Sequence, residues 1–317
     1  MPTVDALGEF GLIRRILAPS VRQTVKSWRR KGWSLPVGIG DDTAVLRPPS
    51  GKELLFASDM LVEGVHFHRS EVSSNGIGWK ALARNVSDIA AMGGQPVAAV
   101  VSLGLPPSTD IRLIRGIYRG LGRCARRFNL VLAGGDTVRA PQLVIDVAIL
   151  GEVKRGKAIT RGGVRAGDAL FVTGCLGNAY RSGYHARFIP RLEEAHVLLR
   201  LVRIHGMIDL SDGLAAGLWQ LADASHVQLA VDAEAIPRRI TPGEGASSLR
   251  QALTAGEDFE LLFSVAQAES KRVPRRIGSV PVTLIGRAVA GKLGVTLIDA
   301  RGRQKPLSYS GFQHFLG

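Results

Sequence analysis

Cysteine is almost missing from this chain. Cys124 and Cys175 are the only two, far apart and with no His or further Cys at metal-ligand spacing. A zinc site and a disulfide scaffold are therefore excluded, and both thiols are expected to be reduced and either buried or incidental. Long apolar runs are missing as well. Val97 to Val101, with Leu103 and Leu105, is the nearest approach, well short of the roughly eighteen residues that cross a bilayer. Asp5 and Glu9 interrupt the N-terminal stretch that a signal peptide keeps apolar. A cytoplasmic protein without membrane contact is the expectation. Neither a Gly-x-x-x-x-Gly-Lys-Ser/Thr loop nor the motif set of protein kinases occurs, so any nucleotide is held by other means.

Lysine is scarce too, at 9 against 32 arginines in a chain of net charge +14. Arg112, Arg115, Arg119, Arg123 and Arg126 recur at three- and four-residue steps, while Ile111, Ile114, Ile117, Tyr118 and Leu121 supply the other side of the same helix. The stripe faces solvent or a partner. A nucleic-acid reader would set such charge beside exposed aromatics, and aromatics are only 6% of the chain. Nucleic acid is therefore not an expected partner, and a basic nucleic-acid-binding protein stands only as an alternative.

The acidic residues are few and sit where the backbone turns. Asp41 and Asp42 lie in Gly-Ile-Gly-Asp-Asp, Asp59 in Ala-Ser-Asp, Asp88 in Asn-Val-Ser-Asp, Asp136 in Gly-Gly-Asp-Thr, and Asp209 and Asp212 in Ile-Asp-Leu-Ser-Asp-Gly. Asp, Gly and Ser are ordinary residues of turns and helix caps. Several of these aspartates, however, follow a short apolar run that reads as a strand, and strand ends are where α/β sites are built. Repeated carboxylates in such places suit Mg²⁺, which takes a few carboxylate oxygens with water and phosphate. Mg-nucleotide chemistry is the expectation.

Along the chain, 10–30 reads as an amphipathic helix, followed by strand signals at Thr43 to Leu46 and Leu54 to Ser58. A helix over Ile77 to Met92 stops at Gly93-Gly94. A strand at Val97 to Leu105, the arginine-striped helix over 110–128, and strands at Leu130 to Ala133 and Leu143 to Val153 complete a first α+β domain, 1–151. A basic, Gly-rich connector opens the second, 152–317. It holds strands at Ala169 to Thr173, Val227 to Val231, Leu261 to Val265 and Val282 to Ala290, and a helix over Gly213 to Ser225. The Gly-, Ser- and Pro-containing stretch 241–249 reads as a mobile loop, while Trp79, Trp219 and 197–202 read as packing.

In order, the motifs resemble the thiamine-monophosphate kinase family of the aminoimidazole ribonucleotide synthetase-like group. The resemblance rests on Gly8-Glu9-Phe10, Gly38-Ile39-Gly40-Asp41-Asp42-Thr43-Ala44, Ser58-Asp59, Gly64-Val65-His66-Phe67 and Lys80 to Gly93. It continues through Gly134-Gly135-Asp136-Thr137, Thr160-Arg161, Ile208 to Leu214 and Gly256-Glu257-Asp258-Phe259-Glu260-Leu261. The resemblance implies two α/β-sandwich domains, a homodimer whose N-terminal sheets pair, and phosphorylation of thiamine monophosphate by ATP. It further implies Asp42, Ser58, Asp59, Asp88, Asp136 and Asp209 as Mg²⁺ ligands, with Asp212 on a further ion. Gly135, Asp136, Arg161 and Ser211 are the implied nucleotide contacts, and His66, Glu257 and Phe312 the implied thiamine contacts. His66 also reads as a surface histidine beside His68, and Phe312 as a cap on the core. The attacking group would be an anionic phosphate oxygen, so no side-chain nucleophile is expected. Another ATP-using member of the group is the alternative activity. Gly217 stands where the family often has a further aspartate, and Leu176 to Pro190 is shorter than the family usually shows.

Overall fold

The computed structural model describes residues 19, 32–37 and 45–311. The expected helix over 10–30, the Asp41-Asp42 pair and Phe312 lie outside the described residues, Pro19 apart. Two compact units divide the chain, one formed by residues up to Ile89 with Gly94–Lys157, the other by Ala90–Gly93 with the chain from Ala158 onward. Both combine mixed sheets with helices, the expected α+β class.

In the first unit, β1 (Ser34–Val37) and β2 (Val45–Arg47) form a small antiparallel pair. The main sheet is built from β3 (Lys52–Val62), β4 (Gln95–Leu105), β5 (Val131–Arg139) and β6 (Val144–Lys154), in the order β3-β6-β4-β5. β3 and β6 pair antiparallel without a break, from Lys52 opposite Lys154 to Val62 opposite Val144. Strand alternation fixes the faces. Ile145, Val147 and Ile149 of β6 point to a buried side, and their neighbours along the strand point to the other. α1 (Ser74–Ala91) covers the buried side, and α2 (Ile111–Arg127) connects β4 to its parallel neighbour β5. The two helices meet at glycines: a Cβ on Gly78 would come within 1.9 Å of the Ile117 carbonyl oxygen, and one on Gly120 within 2.1 Å of that of Asn75. Asp110 caps α2 by accepting from the Arg112 amide, and Arg126 and Arg127 lie in the last turn, where the helix dipole favours cations. The arginines of α2 are exposed and the isoleucines buried, as their spacing predicts.

The second unit is one large sheet running β16-β15-β9-β14-β7-β12-β8. Its strands are β7 (Ala169–Thr173), β8 (Ile204–Asp209), β9 (Gln228–Asp232), β12 (Leu261–Val265), β14 (Val280–Val289), β15 (Gly294–Ile298) and β16 (Gln304–Pro306), with β13 (Arg276–Ile277) hooked onto β14. β7 and β12 are buried at every position, because helices or loops cover both of their faces; that is why they read as unbroken apolar runs. On one face α4 (Leu214–Ser225) and α5 (Leu249–Thr254) close a core that includes Leu170, Val172, Leu218, Leu221, Leu229 and Leu262. On the other, α3 (Leu192–Leu201) packs Ala195 and Leu198 against Phe171 and Phe263, whose rings stack at 5.5 Å.

Two sequence expectations change here. Residues 192–201 form a helix, where the sequence reading saw only packing. The stretch 241–249 is no open loop: β10 (Ile240–Thr241) and β11 (Gly245–Ala246) pair as a short hairpin, and Glu244 at its tip accepts from the Asn178 amide at 3.1 Å. Gly243, at positive φ, makes that turn possible. Burial pushes the Cys124 and Cys175 thiols up, which leaves both poorly nucleophilic.

Candidate functional site

The acidic motifs of the second unit meet backbone to backbone. β8 ends at Asp209 and pairs with β12, whose first residue, Leu261, stands opposite it. Beyond the ladder the two strands stay zipped. The Leu210 amide donates to the Glu260 carbonyl at 2.8 Å, the Phe259 amide to that of Leu210 at 2.9 Å, and the Glu257 amide to that of Ser211 at 2.6 Å. Asp209, Ser211, Asp212 and Glu257 are thereby brought together, Asp209 buried and the other three half-buried. A Cβ on Gly256 would lie 2.6 Å from the Ser211 carbonyl oxygen, so this close approach requires glycine. Glu257 and Phe259 themselves adopt positive φ, +62° and +49°. Non-glycine residues in that region carry strain of about 1 kcal/mol or more and stay there only when their surroundings dictate it.

Those surroundings are two buried ion pairs. Asp258 accepts from the Gly177 amide at 2.8 Å and from Arg239 at 3.0 Å. Glu260 receives Arg191 through both of its oxygens, at 2.6 Å each, together with Thr173 at 2.8 Å and the Tyr184 hydroxyl at 3.2 Å. Arg191 also donates to the Tyr184 hydroxyl at 2.9 Å, and Arg239 lies 3.6 Å from the centre of the Tyr184 ring. Burial pushes the Asp258 carboxyl up to about 7, outweighing the Gly177 amide and the Arg239 charge. Burial works against the Arg191 guanidinium, but the charge and hydrogen bonds of Glu260 together raise it.

Arg161 is exposed on a segment beside the outer edge of β8, where the Met207 amide donates to the Thr160 carbonyl at 3.1 Å. Gly217 faces inward on α4: a Cβ there would come within 2.4 Å of Leu210. A larger residue at this position requires the Leu210 side chain to shift.

In the first unit the sequence-expected residues fall on different surfaces. α1 carries Lys80, Arg84 and Asp88 at four-residue steps along one side. Arg84 pairs with Asp59 of β3 at 3.3 Å, and Lys80, fully buried, donates to the His66 carbonyl at 2.7 Å. His66 accepts the Val62 amide at Nδ1, 3.0 Å away, which places its ring proton on Nε2. It is buried in the turn after β3, not a surface residue like His68. Ser58 precedes Asp59 on the same strand and so points to the opposite face, where its hydroxyl donates to Asp146 at 2.9 Å. Across that face Met60, Asp146, Ser102 and Asp136 form one row of register partners. Asp136 is exposed and accepts the Thr137 amide at 2.8 Å. Gly135 is needed beside it, because a Cβ would sit 1.9 Å from the Val101 carbonyl oxygen. Asp59 and Asp136 therefore occupy the two edge strands of the sheet, three strand spacings or roughly 14 Å apart. Among the described residues, no three His, Cys, Asp or Glu side chains lie close enough to hold a metal ion.

The sequence reading missed Asp146, Lys80, Arg84, Tyr184, Arg191, Arg239, Asp258 and Glu260. A charged residue inside the apolar alternation of β6 is a readable signal for Asp146. Lys80, Arg84, Asp258 and Glu260 lie inside motifs quoted for the resemblance, but their roles, like those of Tyr184, Arg191 and Arg239, depend on partners distant in sequence.

Two family models cover the chain: AIR synthase related protein, N-terminal domain, over residues 40–153, and AIR synthase related protein, C-terminal domain, over residues 181–298. The thiamine-monophosphate kinase of Rhodopirellula baltica is 36% identical over 292 residues, 88% of this chain and 91% of that protein. The crystal structure of the thiamine-monophosphate kinase from Stenotrophomonas maltophilia K279a superposes with a TM-score of 0.78 at 33% identity, covering 92% of this chain and 96% of that one. The structure of AaThiL complexed with AMPPCP and TMP superposes with a TM-score of 0.73 at 30% identity over 99% of both chains. With the acidic motifs in family order and both family models matched, this chain belongs to the thiamine-monophosphate kinase family of AIR synthase related proteins.

Proposed function

We propose that this chain phosphorylates thiamine monophosphate with ATP, releasing ADP and thiamine diphosphate. The observation that carries the reading is the end-to-end match to AaThiL, a protein seen with AMPPCP and TMP together. A terminal oxygen of the thiamine monophosphate phosphate attacks the γ-phosphorus in line, and the bond to the β,γ-bridging oxygen breaks as ADP leaves. The attacking oxygen is already anionic near neutral pH, so the protein supplies position and compensating charge, not a nucleophile. On this reading Gly135, Asp136, Arg161 and Ser211 are nucleotide contacts, and His66, Glu257 and Phe312 are thiamine contacts.

The donor set fits Mg²⁺. Asp59, Asp88, Asp136, Asp209 and Asp212, with Asp42 and Ser58 from the sequence motifs, offer only hard oxygen ligands, and Asp136 stands exposed to receive an ion. Bound there, Mg²⁺ supplies neutralisation of the two phosphate groups that must approach each other. Arg84 keeps the Asp59 carboxylate oriented, and the zipped turns keep Asp209 and Asp212 beside Glu257.

The working form is a homodimer. One face of the first unit exposes Leu54, Phe56, Met60, Val100 and Val138, with Phe56 77% exposed, an apolar surface suited to a second copy. No helix among the described residues is long and apolar enough to cross a membrane, and the use of ATP as co-substrate is what supports a cytoplasmic location.

The test is direct. Incubated with ATP, Mg²⁺ and thiamine monophosphate, the protein should release ADP and thiamine diphosphate in equal amounts; no turnover of this substrate, with turnover of a purine-pathway amidine precursor, overturns the reading. Sedimentation of the wild type should give a dimer, and Phe56→Glu a monomer with an unchanged melting temperature.

A further inference from the structure

The second unit spends an unusual number of buried charges immediately behind one turn. Asp258 and Glu260 are both fully buried, and so is most of each arginine that meets them. Between and beside them, Glu257 and Phe259 hold positive φ. Side chains 258 and 260 reach the buried ion pairs, Glu257 is half-buried, and Phe259 stacks on Phe188 at 4.2 Å. Tyr184 links the two pairs, its hydroxyl between Arg191 and Glu260 and its ring beneath Arg239. Arg239 is tied down further by the Cys175 carbonyl at 2.6 Å and that of Gly177 at 3.1 Å.

We infer that Arg239, Arg191 and Tyr184 are positioning residues for thiamine monophosphate: they lock the Gly256–Glu260 turn so that the Glu257 carboxylate is presented to the substrate in one fixed geometry. This rests on the reading of Glu257 as a thiamine contact. The polar groups of all three are engaged with the carboxylates of 258 and 260, with each other and with backbone carbonyls behind the turn, so their influence reaches the substrate through the turn. A network that merely stabilised the domain would need no left-handed backbone at Glu257 and Phe259. A strained turn, by contrast, keeps its shape only while its anchors dictate it. The fork of each arginine matters as much as its charge, because planar donors fix a carboxylate in orientation as well as distance.

Arg239→Lys tests this. It keeps a cation opposite Asp258, so no buried carboxylate is left alone, but it loses the fork that reaches Cys175 and Gly177. KM for thiamine monophosphate should rise about tenfold, while kcat and KM for ATP stay within about twofold, the pattern of lost substrate binding. In a Glu257→Gln background the same change should raise KM by less than about twofold, since coupled residues are not additive. An unchanged KM, a parallel loss in all three constants, or the same tenfold effect without the Glu257 carboxylate would overturn the inference. Tyr184→Phe, which removes only the bridging hydroxyl, is read in the same way should Arg239→Lys fail to fold. Amide hydrogen exchange at Glu257 and Phe259 separates failure of this inference from failure of the kinase reading. Exchange there should quicken at least about tenfold in Arg239→Lys relative to Leu262. Uniform exchange would show that the arginine does not anchor the turn, whatever the substrate proves to be.

Discussion

Carboxylates are positioned in two different ways in the two units. In the first, Asp59, Asp136 and Asp146 stand on long strands whose register alone decides where they point; Asp136 is exposed and Asp59 only partly covered by Arg84. In the second, Asp209 closes β8 in register with Leu261, but Asp212 and Glu257 ride on turns, which have no register of their own, and buried ion pairs supply the rigidity instead. A sheet edge positions an acid without burying anything. A turn needs an anchor, and here the anchor is made of acids too. Residues of one type thus stand open on a strand in one place and are buried as framework in another.

That contrast is sharpest at Glu260. Glu260→Gln removes one charge from a bidentate pair and leaves the buried Arg191 only the more distant Glu194, 3.8 Å away, as counterion, which should cost about 3 kcal/mol, measured as a lowered urea midpoint. The opposite behaviour is expected of Asp136→Asn, on the open strand. Turnover should fall about 10² to 10³-fold while the melting temperature stays within about 2 °C. Should the two variants behave alike, the distinction between framework and site acids fails.

Asp258 gives a pH signature of framework burial. Its carboxyl is pushed up to about 7 in the folded protein, against about 3.9 in the unfolded chain. Between those values the folded state holds a proton that the unfolded state releases. Stability from this group is therefore full below about pH 4 and is lost as pH rises through 7. Relative to Asp258→Asn, the wild type should lose unfolding free energy between pH 5 and pH 8 in denaturant titrations; a constant difference would place the carboxylate's charge in the folded state throughout. The smallest effect belongs to the exposed arginines of α2. Arg115→Glu and Arg119→Glu should each change stability by less than about 0.5 kcal/mol and leave turnover untouched. Duplex binding at physiological salt that these changes abolish would revive the nucleic-acid alternative.

Much of the architecture was legible in the chain. Ala169 to Thr173 and Leu261 to Val265 read as strands to the residue, because a strand covered on both faces is apolar throughout. The α2 helix was legible from its isoleucines and arginines, whose spacing separates a buried side from a wet one. The short hairpin at 240–246 and the helix over 192–201 were not. The hairpin is held by Asn178, far away in sequence, and α3 by packing on Phe171 and Phe263, so neither carries its cause locally.

The site divides in the same way. Sequence by itself named candidate ligands, since turn-forming Gly and Ser beside Asp make a local pattern, but it read the strand only to Ser58 and grouped Ser58 with Asp59, which the structure sets on opposite faces of β3. Only the tertiary structure decided which of those faces is covered by α1, that Asp59 and Asp136 stand on opposite edges, and that Asp258 and Glu260 in one motif are anchors while Glu257 between them is not. The physical reason is range. Local geometry and capping act over a few residues, whereas burial of a carboxylate is tolerable only with a partner, and the partners Arg239 and Arg191 lie 19 and 69 residues away along the chain.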